Sequence, residues 1–269
     1  LILIKKISKK LDNKIYLKLN DLKKQIEKKF KKWKTVYGQM PDWNPAEIIG
    51  KNPHPLLSSL YKTLVLDFSW IKARTIMGYS DRFKEKDLMK VFLGQSFIDV
   101  RKSFISFIPK NVPIYLEKKL VNFYVSKLSS NPSLHDKIEF DIAINCFIFD
   151  FEKRIKELCP NLLTKKETNI LKNKYYQIFN KNLEDKNNGS IDFNLGKIKK
   201  LDEHYEDFKK EKDIKKIIQS TINYGIIPFS ILARHAFIAE NLLRSLVRLK
   251  IIDNKDVENF KFSLETITF

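Results

Sequence analysis

Glycine is scarce in this chain, with seven in 269 residues. Neither a GxxxxGKS/T loop nor a GxGxxG turn occurs, so no recognised glycine device is present to cradle a nucleotide phosphate. The nucleophile elbow GxSxG is missing too. Cysteine is nearly absent: Cys146 and Cys159 lack CxxC spacing and lie in apolar or proline-flanked surroundings. They read as reduced core thiols, which excludes a disulfide framework or a zinc ribbon. Four histidines stand in NPHPL, SLHDK, DEHYE and ARHAF, none paired at the spacing of a zinc site on one helix. No unbroken apolar run approaches the roughly 18 residues that span a bilayer. No small-residue cleavage site follows the opening LILI, so neither a signal peptide nor a membrane partner is expected. The expectation is a cytoplasmic protein.

Positive charge, in contrast, is abundant. Lys and Arg number 51 against 32 acidic residues, a formal charge of +19. Only seven of the 51 are Arg; the other 44 are Lys, spread along the polar sides of apolar periodicities. Arginine is the residue suited to bidentate contacts with phosphates and bases. Lysine excess of this kind reads as a solvated surface, and an AT-rich coding sequence produces it without functional selection. A basic nucleic-acid-binding module is therefore an alternative class, with a structural interdomain spacer as another.

With 43% hydrophobic residues and 20 Phe there is ample material for a core. Residues 1–34 step apolar positions by three or four (Leu11, Ile15, Leu19, Leu22, Ile26, Phe30), which predicts an amphipathic linker helix. Residues 35–55 form a proline-dense loop, in which Asn44-Pro45 followed by Glu47 spells a helix start with Asn as cap. A helix is expected over 58–77. In 89–109 the period shortens around Gly94-Gln95, predicting a hairpin in which Asp99 and Arg101 share one strand face. Residues 113–130, 152–180, 197–222 and 229–250 read as helices. FDIAINCFIFDF (140–151) reads as a buried strand, with the start of a helix as the alternative, and EDKNNGS (184–190) as a loop. The fold class is α+β, predominantly helical with a small antiparallel sheet.

Three polar clusters interrupt apolar surroundings. Asp42, Trp43, Asn44 and Glu47 combine a helix start with two side chains free to face a ligand. Asp99 and Arg101 form an ion pair that could hold a zwitterion, Arg to carboxylate and Asp to ammonium. His135, Asp136 and Glu139 make the third. ARHAFIAE is similar to the stretch around a phosphoryl-carrier histidine. A carrier His follows a glycine-rich turn and a Ser or Thr, whereas Leu232-Ala233-Arg234 precede His235 here, so His235 reads as a helix-face residue.

Four longer blocks carry a wider resemblance: GQMPDWNPAEIIG (38–50) with PHPLLSSLY (53–61), FIDVRKSFISFIP (97–109), PSLHDKIEFDI (132–142) and PFSILARHAFIAENLLRSL (228–246). In order and spacing they resemble the central region of phosphoenolpyruvate-synthase-like phosphotransferases of capsule clusters, closest to the L-glutamine kinases. The resemblance implies residues 1–35 as a linker helix and 36–269 as a central acceptor or linker domain. It implies partner domains on the same polypeptide, an ATP-grasp domain that binds ATP and Mg and a phosphohistidine carrier. The isolated segment is then expected to be inactive, without a cofactor of its own. It also implies a small-molecule acceptor, for which Asp42, Trp43, Asp99 and Arg101 are the expected binding residues. Catalytic residues and metal ligands are not assigned.

Overall fold

Asn44 opens the helical part of the chain as its sequence predicts. Its side chain accepts a hydrogen bond from the Glu47 N–H, its amide contacts the Glu47 carboxylate, and Pro45 fills the first helical position of α1 (Pro45–Ile48). The computed structural model describes residues 18, 20, 21, 24, 36–39, 42–82, 88–184 and 186–264. The expected helix over 1–34 lies outside them apart from the four isolated positions, which are helical. Helix α2 (Pro55–Tyr61) begins the same way, with His54 as cap, and runs into a π-helical turn, Lys62–Leu66. Helix α3 (Ser69–Met77) follows after a break at Phe68 and ends on Gly78 at φ 105°. The single helix expected over 58–77 is thus three segments.

The sheet has three antiparallel strands in the order β1 (Tyr37–Gly38), β3 (Gln95–Asp99), β2 (Met89–Phe92). The hairpin turns on Leu93-Gly94, both at positive φ, the geometry that matches strand twist in a two-residue loop. Its strand stops earlier than expected. Asp99 is the last residue of β3 and its carboxylate caps α4 (Val100–Ile105), accepting from the N–H of Arg101 at 3.1 Å and of Lys102 at 3.3 Å. Arg101 is therefore helical, and the shared strand face does not exist. A carboxylate one residue before an apolar run caps a helix as readily as it pairs across a strand.

Helix α5 (Ile114–Ser130) matches its sequence period. FDIAINCFIFDF does not become a strand. Its start lies in a π-helical turn, Ile138–Ile142, and Ala143, Ile144, Asn145, Cys146 and Ile148 continue as a buried irregular segment. Buried backbone needs partners, and side chains supply them. The Tyr175 hydroxyl donates to Ile144 O (2.9 Å) and lies 3.0 Å from Phe107 O. Tyr79 donates to Asn145 O (2.9 Å), and the Ile144 N–H donates to the Tyr124 hydroxyl (3.3 Å). The segment is apolar and buried like a central strand, but tyrosines stand where a neighbouring strand would.

The helices α6 (Phe151–Leu158), α7 (Lys165–Leu183), α8 (Ile191–Glu203), α9 (Tyr205–Lys210) and α10 (Ile214–Ser220) follow this segment along the chain. A third π-helical turn, Thr221–Ile226, leads into α11 (Ile227–Arg248), and α12 (Asn254–Ser263) closes the described chain. The main core gathers Tyr79, Phe104, Phe107, Tyr124, Tyr175 and Ile231, with a smaller cluster of Tyr61, Leu66, Trp70, Met89 and Ile98 under the hairpin. Cys146 and Cys159 are buried and unbridged. By length and composition alone, the continuous helix Ile214–Arg248 is apolar enough to cross a membrane, although no unbroken apolar run within it nears 18 residues. Here α11 packs on α3 and α8, buries Arg234, and its Arg248 grips Asp150 through two bonds of 2.6 and 2.9 Å.

Tyr175→Phe removes the only side-chain hydroxyl among the described residues that bonds Ile144 O. Leaving such a buried acceptor unsatisfied costs about 1–3 kcal/mol. Denaturant unfolding is expected to show a lower midpoint with an unchanged m-value.

Candidate functional site

Asp42 reaches the interior from the proline-rich loop, at a left-handed φ of 49° that Asp tolerates better than most residues. Its carboxylate binds Arg74 Nη2 of α3 at 3.1 Å and accepts from Ser103 Oγ of α4 at 2.8 Å. Both charged side chains are nearly removed from water, 9% exposed for Arg74 and 6% for Asp42. The Arg74 guanidinium lies 4.8 Å from the centre of the Phe107 ring and 5.9 Å from that of Tyr79. Arg234, from α11, sits over the same rings at 5.2 and 5.6 Å. Its Nη2 donates to the backbone and side-chain oxygens of Asn145, whose own amide donates to Glu139 O.

Two guanidiniums repel, and burying both is costly unless something compensates. The aromatic faces, Asp42 and Asn145 do part of this. They leave N–H groups over. Arg74 Nη1, Arg234 Nε and Arg234 Nη1 are buried with no hydrogen-bond partner among the described residues, as is Trp43 Nε1. Burial holds Arg74 below its ordinary pKa, against the pull of Asp42. Glu139 stands in the same group, and burial pushes its carboxyl up to about 7. Asp42 adds to that rise, and Arg234 and Arg74 oppose it.

These side chains line a cavity of about 180 Å³. Asp42, Trp43, Asn44, Glu47 and Ile48 come from the loop and α1, Arg74 from α3, and Glu139 from the π turn. Ser230, Ala233, Arg234 and Phe237 come from α11. The volume falls below the roughly 300–1,000 Å³ of drug-sized sites and suits a small molecule. A larger cleft of about 470 Å³ between α11 and α12 is a surface groove whose charges already pair, Glu240 with both Arg244 and Lys261 at 2.8 Å.

Of the expected binding residues, Asp42 and Trp43 stand in the cavity wall. Asp99 and Arg101 do not line it. Asp99 caps α4, and Arg101 Nη1 donates to Asn122 of α5 at 2.8 Å. The cations at the cavity are instead Arg74 and Arg234. A signal for them existed: arginine is rare here, and both lie in otherwise apolar helical stretches, SWIKARTIM and FSILARHAF. Glu139 belonged to the third polar cluster, and only Glu139 of that cluster lines the cavity. His235 points the other way, its Nε2 2.7 Å from Gly189 O in the 184–190 loop. The donor set does not fit Mg: Asp42 and Glu139 face guanidiniums, Glu47 is held by the Asn44 amide, and among the described residues no three His, Cys, Asp or Glu gather to hold a metal. No protein-family model, curated protein or solved structure matches the chain.

The proton on Glu139 makes stability depend on pH. The folded chain keeps it up to about pH 7, whereas the unfolded chain releases it near 4.5, the ordinary range of a glutamate. The native state therefore binds more protons in that window, and its stability falls as pH rises through it. Glu139→Gln removes the dependence. Its melting temperature relative to wild type is expected to rise between about pH 4.5 and 7 and to stay level above, as thermal scans in a pH series would show.

Proposed function

We propose that this chain is the acceptor-binding segment of an ATP-dependent, cytoplasmic phosphotransferase that works through a phosphohistidine carrier, with a small acceptor such as L-glutamine. One observation carries the reading. The four sequence blocks that resemble phosphoenolpyruvate-synthase-like enzymes converge on a single cavity. Residues 38–50, 132–142 and 228–246 supply its walls, and 97–109 supplies Ser103 to Asp42 and Phe107 beneath the guanidiniums. Segments so far apart in sequence share no local structural reason to keep polar residues facing one point, whereas a common ligand gives them one.

The chemistry fits an acceptor. Unpartnered guanidinium N–H groups present charge-assisted donors to a carboxylate or phosphoryl oxygen. Asp42 and Glu139 present the opposite charge, and Trp43 and Phe237 add apolar wall. In this reading ATP and Mg belong to the ATP-grasp domain of the same polypeptide. The carrier histidine delivers the phosphoryl group at the cavity mouth.

Arg234→Met in the polypeptide that holds all three domains is expected to lower acceptor-dependent transfer about 30-fold or more, the size of losing a buried charge-assisted contact. Phosphorylation of the carrier histidine is expected to persist. Arg101→Ala, away from the cavity, is expected to change neither half-reaction. Single-turnover assays of the two half-reactions, with melting curves alongside, check this. Equal loss in both half-reactions, or nucleic-acid binding by the segment that falls steeply with salt, would count against the acceptor role.

A further inference from the structure

The cavity holds an unbalanced set of charges. Arg74 and Arg234 are permanently cationic, and Asp42 is committed to Arg74 and Ser103. Glu47 also lines the wall, but it is exposed and held by the Asn44 amide. Glu139 is the remaining buried acid, 7% exposed. Its charge decides the buried total: with Glu139 protonated the four buried groups sum to one positive charge, and with it ionised they sum to zero.

We propose that Glu139 selects which ligands the Arg74–Arg234 cavity accepts: ionised, it admits an anionic group only when the same ligand also brings a cation, and protonated, it admits a simple anion. This deepens the acceptor reading and rests on it for the nature of the natural ligand. The geometry supports the role through the groups around Glu139. Asp42 faces it from the loop, Arg74 from α3 and Arg234 from α11. On its own π turn, Asp141 is half-exposed and lies 3.7 Å from Arg154. His235, the neighbour of Arg234, is turned to Gly189 and bonded there. A ligand anion beside Arg74 Nη1 and Arg234 Nη1 would satisfy N–H groups that the protein leaves over, and a ligand ammonium would meet the charge of the Glu139 carboxylate.

An anion that brings no cation leaves Glu139 under added negative potential, so its binding is coupled to uptake of a proton. The carboxyl already sits near neutrality, which places the coupling in an accessible range.

Sulfate is a suitable probe because its own charge is constant from pH 5.5 to 8.5. On the chain described here, calorimetric titration is expected to show sulfate affinity level below about pH 7 and falling by about tenfold over the next one to two units. At pH 7.5, titrations in buffers of different ionisation enthalpy are expected to show a net proton taken up by the wild type. Glu139→Gln is expected to bind sulfate with no pH dependence and no proton uptake, and Arg234→Met not to bind it. The wild-type proton count stands alone if a variant folds poorly. Absence of sulfate binding, binding without proton uptake, or a Glu139→Gln profile like that of wild type each overturns the proposal. Proton-coupled sulfate binding with no acceptor transfer in the whole enzyme would instead remove the acceptor reading and leave the selector in place.

Discussion

Asp42 gives up its hydration to bind Arg74 on α3 and Ser103 on α4. That exchange fixes the relative positions of the proline-rich loop, the helix after the first π turn and the helix that follows the sheet. A buried pair of this kind contributes little when compared with an apolar replacement. Once one partner is lost, however, the other stays buried and unpaired at a cost of about 3–5 kcal/mol. The loop is thereby made dependent on the core. Trp43 follows Asp42 into the wall, and its carbonyl accepts the Tyr61 hydroxyl, which ties the loop to α2 as well.

The second cation is held by different means. Arg234 bonds to Asn145 and lies over rings it shares with Arg74, so aromatic faces partly screen two like charges from each other. The same Asn145 carbonyl also receives the Tyr79 hydroxyl. One irregular backbone segment therefore serves as acceptor for the core tyrosines and for the site. This explains why 143–148 is not a strand: its carbonyls are committed to the side chain of Tyr79, just beyond α3, and to side chains arriving from α7 and α11. Stability and site geometry are carried by the same hydrogen bonds.

Much of the fold could be read from local chemistry. The Asn44-Pro45 cap, the hairpin at Gly94, α5 and α11 all follow from residues within a few positions of one another. The misreading of 140–151 arises because the deciding partner is distant in sequence, and that of Asp99 and Arg101 because a local pattern had two readings. Nothing near 140–151 announces that Tyr175 will replace a strand neighbour. Asp99 and Arg101 alternate as on a strand because a capping carboxylate and a strand-face carboxylate occupy the same place in a short pattern. At the cavity, Asp42 and Trp43 stood out because the loop is dense in unusual residues. Arg74 and Arg234 were hidden inside apolar helices, where an arginine resembles a surface residue until its neighbours are known.

The three π turns lie next to the elements that bear the cavity: Lys62–Leu66 before Arg74, Ile138–Ile142 containing Glu139, and Thr221–Ile226 before Arg234. A π turn is an α-helix with one extra residue, and each residue in a helix turns the chain by about 100°. Of the three turns, Thr221–Ile226 joins two α-helices without a break, α10 before it and α11 after it. Removing one residue there would return the turn to α spacing and change the register between the two helices, while composition, charge and core volume would hardly change. The placement of Arg234 is thus tied to chain length at that turn, so a one-residue deletion there is a different class of change from a substitution in the wall.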